Sequence, residues 1–344
     1  MPYQINNHIL PLVSVVMSVY NGENYLHEAI ESVLHQSFTD FEFIIINDGS
    51  KDKSLSIIKS YNDKRIVLID NDGNKGLIYS LNKGIEVSKG KYIARMDADD
   101  ISLPERIKQQ VDFLESHPTI GVIGCDYISF NNTQSKTVTS IYKSNEIKSF
   151  LLFTATMCHP TLMLRKQVLT DNHLSYSENA KHVEDYDLWT RMVLHTDFCN
   201  LQEILFKYRD HAQQVSHLYH DVQLKNSNIV QENYLKKLGF IYNESELNTH
   251  FLIASNVRIQ TKENIREIER WLLSLVNQNT TKKIIAETEF KIVMYKMWLD
   301  CCGNTSLGLW AYRYYQSSQL TKMSTTANSF NAKLLAKCLV RWIK

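Results

Sequence analysis

Short apolar runs alternate with amphipathic stretches through the first hundred residues. Leu12 to Val19 is mostly apolar and rich in valine, the pattern of a strand buried on both faces of a parallel sheet. It stops at Tyr20-Asn21-Gly22, a turn signal. Asn24 to Gln36 then carries Leu26, Ala29, Ile30, Val33 and Leu34 at helical spacing. The cycle repeats twice. Strands are expected at Phe41–Ile46 and Arg65–Ile69, and helices at Asp52–Tyr61 and Leu77–Val87. A fourth apolar run ends at Met96 and passes directly into Asp97-Ala98-Asp99-Asp100. Strand and helix alternating at this spacing predict a doubly wound, mostly parallel α/β sheet.

The pattern then loosens. Pro104 opens a helix to about Glu115, since proline suits a first helical turn. Val122–Phe130 reads as a strand, Thr137–Tyr142 as an edge strand and Asn145–Phe153 as a helix. Val183-Glu184-Asp185 opens another helix with acids in its first turn, where the helix dipole favours them. Ile204–Tyr208 is a strand, followed by Arg209-Asp210-His211. From about Ser216 only helical spacing remains, over Val222–Leu238, Glu246–Ser255, Asn264–Val276, Ile284–Leu299 and Leu307–Tyr315. The shift predicts two modules, 10–217 and 218–344.

Ligands of doubly wound sheets bind outside the carboxyl ends of the strands. Here those ends carry Tyr20-Asn21, Asp48-Gly49-Ser50, Asn74-Lys75-Gly76 and Asp97 to Asp100. All four adjoin expected helix starts, where free N–H groups favour anions. Paired carboxylates such as Asp97 and Asp99 repel unless a cation lies between them, and all-oxygen ligands suit Mg2+ or Mn2+. An isolated Asp-x-Asp is otherwise a solvated turn. No Gly-x-Gly-x-x-Gly follows the first strand, and neither Gly-Lys-Ser nor Gly-Lys-Thr occurs. Dinucleotide and P-loop fingerprints are therefore missing. The sixth position from Asp97 is not glycine, so the calcium-loop pattern fails too.

Bulk composition narrows the class. Lys+Arg of 38 against Asp+Glu of 37 leaves no basic excess for nucleic acid. The six cysteines form no Cys-x-x-Cys pair, which argues against zinc and against a disulfide framework, and suits a reducing cytosol. No secretory signal precedes the first strand, and no apolar stretch reaches the length of about 18 residues that spans a bilayer.

These residues resemble glycosyltransferase family 2. The resemblance is carried by Val13 to Asn21, Asn47-Asp48-Gly49-Ser50, Asn74-Lys75-Gly76, Asp97-Ala98-Asp99-Asp100 with Pro104-Glu105-Arg106, and Glu184-Asp185. Each piece alone is short. Together they stand in order, each at an expected strand end or helix start, over roughly residues 10 to 217.

The resemblance implies the A-type glycosyltransferase fold, a nucleotide-sugar donor (usually a UDP-sugar) and an inverting transfer to a hydroxyl. Ser18, Tyr20, Asn21, Asp48 and Asn74 would line the nucleotide pocket, with Asp48 receiving the base N–H. The family often has Asp where Asn47 stands. Asp99 would coordinate Mn2+ or Mg2+, and Asp97 would support it or hold the ribose. Asp185 would be the general base beside Glu184. Tyr208-Arg209-Asp210-His211 and Ser216 match a segment that closes over the diphosphate. His159 would lie near the acceptor, or else be a core histidine bonded to backbone. The acceptor would be a glycan or lipid-linked hydroxyl in bacterial cell-surface polysaccharide synthesis. Two readings compete: a nucleotidyltransferase on a sugar phosphate, and a binding module without catalysis.

Lys333, Lys337, Arg341 and Lys344 recur on one side of residues 332–344, with Leu334, Leu335, Cys338, Leu339, Trp342 and Ile343 opposite. That is the composition of a helix lying on an anionic membrane. The alternative is a terminal helix packed on the protein. The first reading places the enzyme in the cytoplasm, peripheral on the inner face of the cytoplasmic membrane.

Overall fold

The computed structural model describes residues 4–5, 8–211, 219–323 and 334. The chain divides into two compact units, Met1–Ser144 with Ala155–Asn226, and Asn145–Thr154 with Ser227–Lys344.

The first unit is built on one mixed sheet. A short hairpin, β1 (Gln4–Ile5) and β2 (His8–Ile9), precedes it. Then come β3 (Val13–Val19), α1 (Leu26–Leu34), β4 (Phe41–Asn47), α2 (Ser54–Lys59), β5 (Ile66–Asp70), α3 (Leu77–Val87) and β6 (Tyr92–Met96). β7 (Ile101–Ser102), α4 (Arg106–Ser116), β8 (Ile120–Phe130) and β9 (Ser135–Val138) follow, then α5 (Ser144–Phe150). The unit resumes with a 3-10 turn (His159–Thr161), β10 (Met163–Arg165), α6 (Lys166–Asp171), α7 (Glu184–Met192) and β11 (Asp197–Arg209).

The sheet order is β5-β4-β3-β6-β10-β8-β11-β7, with β9 on β8. β5, β4, β3 and β6 are mutually parallel. β10 lies antiparallel between β6 and β8, and β8 and β11 run parallel. After β3 the chain lays β4 and β5 on one side and returns to lay β6 on the other. The carboxyl ends of β3 and β6 thus flank a topological switch point, the place where such sheets form a crevice.

Burial follows the pattern expected from the sequence. Every residue of β4 is buried, and β3 is buried except at Ser18. The edge strand β5 is only partly covered. α1 buries Leu26, Ala29, Ile30 and Val33, and each large aliphatic chain so removed from water contributes about 1.5–3 kcal/mol. α3 lies close on β3. A Cβ added at Gly84 would come within 2.3 Å of Val16 Cγ1. The expected helix after Pro104 begins at Arg106, whose fully buried guanidinium donates to the carbonyls of Arg95 (2.8 Å) and Leu162 (3.2 Å). Arg106 therefore braces the end of β6, and burial lowers its pKa to about 10. Gln36, just past α1, ties in the same corner through Leu103 O (2.8 Å) and Ile107 N (3.0 Å).

The second unit is helical. α5 packs there with α8 (His220–Leu238), α9 (Glu244–Ala254), α10 (Lys262–Lys282), α11 (Glu287–Gly303), α12 (Leu309–Ser317) and α13 (Gln319–Lys322). Asn243 and Glu246 form a reciprocal capping box at the start of α9. Trp271 Nε1 donates to His250 Nδ1 (3.1 Å), while His250 Nε2 bonds Leu152 O (2.8 Å). Among the described residues no helix is long and apolar enough to cross a membrane. Apart from Leu334, which is buried, residues 332–344 lie outside the described residues.

Candidate active site

The crevice floor is made by polar ends of apolar strands. At β3, Asn21 turns with φ 53°. Its N–H donates to Ser50 Oγ (3.0 Å), and its Oδ1 accepts from Lys51 N (2.8 Å). Gly22 N reaches Ser54 Oγ (2.9 Å), and Glu23 and Asp52 exchange bonds with the facing backbone. The turns after β3 and β4 are thus clasped together. Ser18 is half-buried on β3, and Tyr20 is 51% exposed at the mouth.

Asp48 is buried, and both its oxygens serve the chain's own donors. Oδ1 accepts from Asn71 Nδ2 (2.8 Å) and Lys75 N (2.9 Å), and Oδ2 from Gly76 N (2.9 Å). It shapes the loop on which exposed Asn74 sits. Gly49, with φ 69°, approaches so closely that a Cβ there would lie 2.3 Å from Gly73 C. Asn47 Nδ2 donates to Asp70 Oδ1 (2.7 Å), a bond an aspartate could not donate. Asp48→Ala removes a shared acceptor from three donors in a part-buried place, of which Asn71 Nδ2 keeps Ser80 Oγ (3.2 Å). It should lower unfolding stability by about 2–4 kcal/mol, read from a denaturant melt.

At the end of β6 the strand stops at Met96, and a turn brings Asp97, Asp99 and Asp100 together. The sequence pattern paired Asp97 with Asp99 along an extended chain; the turn adds Asp100. One carboxylate oxygen from each lies within 4.8 Å of the others. Burial, with the charge of Asp99, raises the pKa of Asp97, against the pull of Arg95. Burial together with Asp97 and Asp99 holds Asp100 well above the usual carboxylate range. Asp100 Oδ1 accepts from Arg209 N (2.7 Å), whereas its Oδ2 is buried with no hydrogen-bond partner among the described residues. Three neighbouring carboxylates, one of which also carries an orphaned oxygen, fit a hard divalent cation.

Arg95 was not apparent from the sequence, where it sits inside an apolar run. Its side chain is only 5% exposed, pairs with Asp97, and leaves Nε without a partner among the described residues. It pulls on Asp97, Asp100, Glu184 and Asp185. Glu184 and Asp185 start α7 at the same centre of charge. Burial is the main cause that raises both, and Asp185 adds to it for Glu184, which reaches about 7. Asp185 Oδ1 accepts from Tyr186 N (2.7 Å). Tyr176 was missed as well. Its hydroxyl meets His159 Nε2 at 2.7 Å, and Asn82 holds its backbone at both ends. Burial and then Arg95 keep His159 neutral, well below the usual histidine pKa.

Arg209 and His211 close the other side. Arg209 Nε donates to Asp99 O (2.7 Å), and its Nη2 pairs with Glu28. His211 Nε2 meets Asp99 Oδ2 at 2.8 Å. Ser216 lies outside the described residues.

The fold and this crevice define the class, a glycosyltransferase of the A-type fold. The model of glycosyl transferase family 2 matches residues 14–173, and the chain belongs to that family. It is 36% identical over 245 residues to an uncharacterized glycosyltransferase of Haemophilus influenzae, covering 67% of this chain and 76% of the relative. It is 30% identical over 262 residues to the amylovoran biosynthesis glycosyltransferase AmsE of Erwinia amylovora, covering 72% of this chain and 94% of AmsE. Among solved structures, S. aureus TarS 1-349 in complex with UDP-GlcNAc aligns at TM-score 0.57 and 16% identity, over 96% of this chain and 91% of that one.

Proposed function

We propose that the protein is an inverting, metal-dependent glycosyltransferase. It moves a hexose or N-acetylhexosamine from a UDP-sugar to a hydroxyl of a glycan or lipid-linked acceptor during bacterial cell-surface polysaccharide synthesis. One observation carries the reading: Asp185, a carboxylate raised by burial, shares its electrostatic surroundings with the Asp97-Asp99-Asp100 cluster at the switch point. The relatives support it further, since AmsE is a glycosyltransferase of amylovoran biosynthesis and TarS 1-349 forms a complex with UDP-GlcNAc.

Ser18, Tyr20, Asn21, Asp48 and Asn74 bound the nucleoside side of the crevice, and Asp97 supports the ribose or the metal. Asp99, with Asp97 and Asp100, would hold Mn2+ or Mg2+, which as a Lewis acid spreads the charge of a leaving diphosphate. Asp185 takes the proton of the acceptor hydroxyl. The freed oxygen bonds to the anomeric carbon on the face opposite the diphosphate, whose bond to that carbon breaks. Charge builds on the sugar as in glycoside hydrolysis. Arg209 and His211 lie over the diphosphate side. Residues 332–344 would hold the enzyme to the cytoplasmic face of the membrane, or pack on the protein, the alternative that the buried Leu334 favours.

The test is donor hydrolysis followed by NMR over a panel of nucleotide sugars, with Mn2+ and with EDTA. Slow release of UDP from one donor, abolished by EDTA, is the expected result. If no nucleotide sugar is bound or cleaved under either condition, the reading fails.

A further inference from the structure

We propose that Glu28 is a competing counter-anion for Arg209, one that a donor diphosphate must displace, so that Glu28 sets donor affinity. The inference rests on the nucleotide-sugar reading above.

Arg209 is held on several sides. Its backbone N–H donates to Asp100 Oδ1 (2.7 Å), and its Nε to Asp99 O (2.7 Å). Its guanidinium lies between two rings, 4.4 Å from the Tyr25 centroid and 4.6 Å from that of Phe130. Neither ring was expected from the sequence to serve the site. Stacking and the Nε bond fix the plane of the fork, so its outer edge has one direction to face. The side chain is 12% exposed.

Glu28 differs in kind. It stands in the first turn of α1, where an acid suits the helix dipole, and is 56% exposed. Its carboxylate takes Arg209 Nη2. Among the described groups that hold the guanidinium, Glu28 is the most exposed, and water can replace it at little cost. A diphosphate seeks the same edge, because guanidinium N–H pairs match phosphate oxygens. Two anions on one edge repel, and the exposed one yields. Glu28 thus neutralises Arg209 while the crevice lacks an anion, and swings to solvent when one enters.

The test is calorimetric titration of the full chain in Mn2+ with uridine, pyrophosphate and UDP, for wild type and Glu28→Gln. An exposed ion pair of this kind corresponds to a change of about two- to fivefold. The variant should bind UDP and pyrophosphate tighter by that factor, with uridine affinity unchanged and donor KM lowered at constant kcat. In an Arg209→Gln background the same substitution should change nothing. Unchanged or weaker UDP and pyrophosphate binding by Glu28→Gln overturns the proposal, as does tightening that persists without Arg209. Wild-type binding of pyrophosphate without uridine or UDP would remove the nucleotide reading and keep the Glu28 exchange open to the same comparison. Binding of none of the three would overturn both.

Discussion

Asp185→Asn should lower kcat by about 10²–10⁴-fold, the usual contribution of a positioned general base, and leave UDP affinity unchanged. The substitution keeps the shape and the Oδ1 that accepts from Tyr186 N. It removes the negative charge and with it the ability to accept a proton, and also one of the causes that raise Glu184. The pH dependence has a definite sign. A base must be ionised to work, and burial raises both Asp185 and Glu184. Turnover should therefore rise with pH on an acid limb displaced upward from the ordinary carboxylate range, its upper end near 7, where Glu184 titrates. The two acids act as a pair, so the limb belongs to both. Asp185→Asn should flatten it. Turnover within a few-fold of wild type, with the limb intact, would mean that the proton goes elsewhere.

The parts legible in the sequence were those with enough residues to show a period. β3, β4, β5 and β6 stood out as apolar runs with polar ends, and parallel pairing then put those ends along one edge. The second half of the sheet was harder. β10 has three residues and β7 two, too few for alternation to register, yet β10 joins β6 to β8. β11 runs from Asp197 to Arg209 because β8 pairs along its length, through register shifts, and extends it well beyond the apolar Ile204–Tyr208 core. β9 falls at Ser135–Val138, earlier than Thr137–Tyr142, where its polar residues pair with the end of β8. Asn145–Phe153 reads as a helix in the sequence, but nothing in its residues says that it packs with the later helices.

The site divides along the same line. Carboxylates at strand ends announce themselves because they break off an apolar run, and a cluster there asks for a cation. Arg95 is hidden by the opposite circumstance. It looks like one polar slip in a strand, and only its placement among Asp97, Asp100 and Glu184-Asp185 gives it a purpose. Tyr25, Phe130 and Tyr176 read as ordinary aromatics until packing sets them against Arg209 and His159. Asp48 is a related case. The residue was visible, but its bonds to Asn71, Lys75 and Gly76 link positions more than twenty residues apart.

Asp99→Ala should abolish metal-dependent UDP binding and donor cleavage while leaving a protein at least as resistant to heat as wild type when no metal is present. The two halves follow from one geometry. Three carboxylate oxygens within 4.8 Å repel, and the charge of Asp99 raises both Asp97 and Asp100. Removing it relieves that repulsion. The loss on the other side is the contact of Asp99 Oδ2 with His211, which is partly exposed and so worth about 0–1 kcal/mol. With Mn2+ added the order should reverse. Wild type gains by RT ln(1 + [L]/Kd), close to 2.7 kcal/mol at a hundredfold excess over Kd, and the variant gains little. Thermal melts with Mn2+ and with EDTA read both effects in one experiment. A variant that still melts higher in Mn2+ by the wild-type margin would show that the ion is held elsewhere. A variant that melts far lower in EDTA would make Asp99 a structural residue. The crossing of the two curves is what a functional cluster predicts, because such a site keeps like charges together at a cost to the fold that only its ligand offsets.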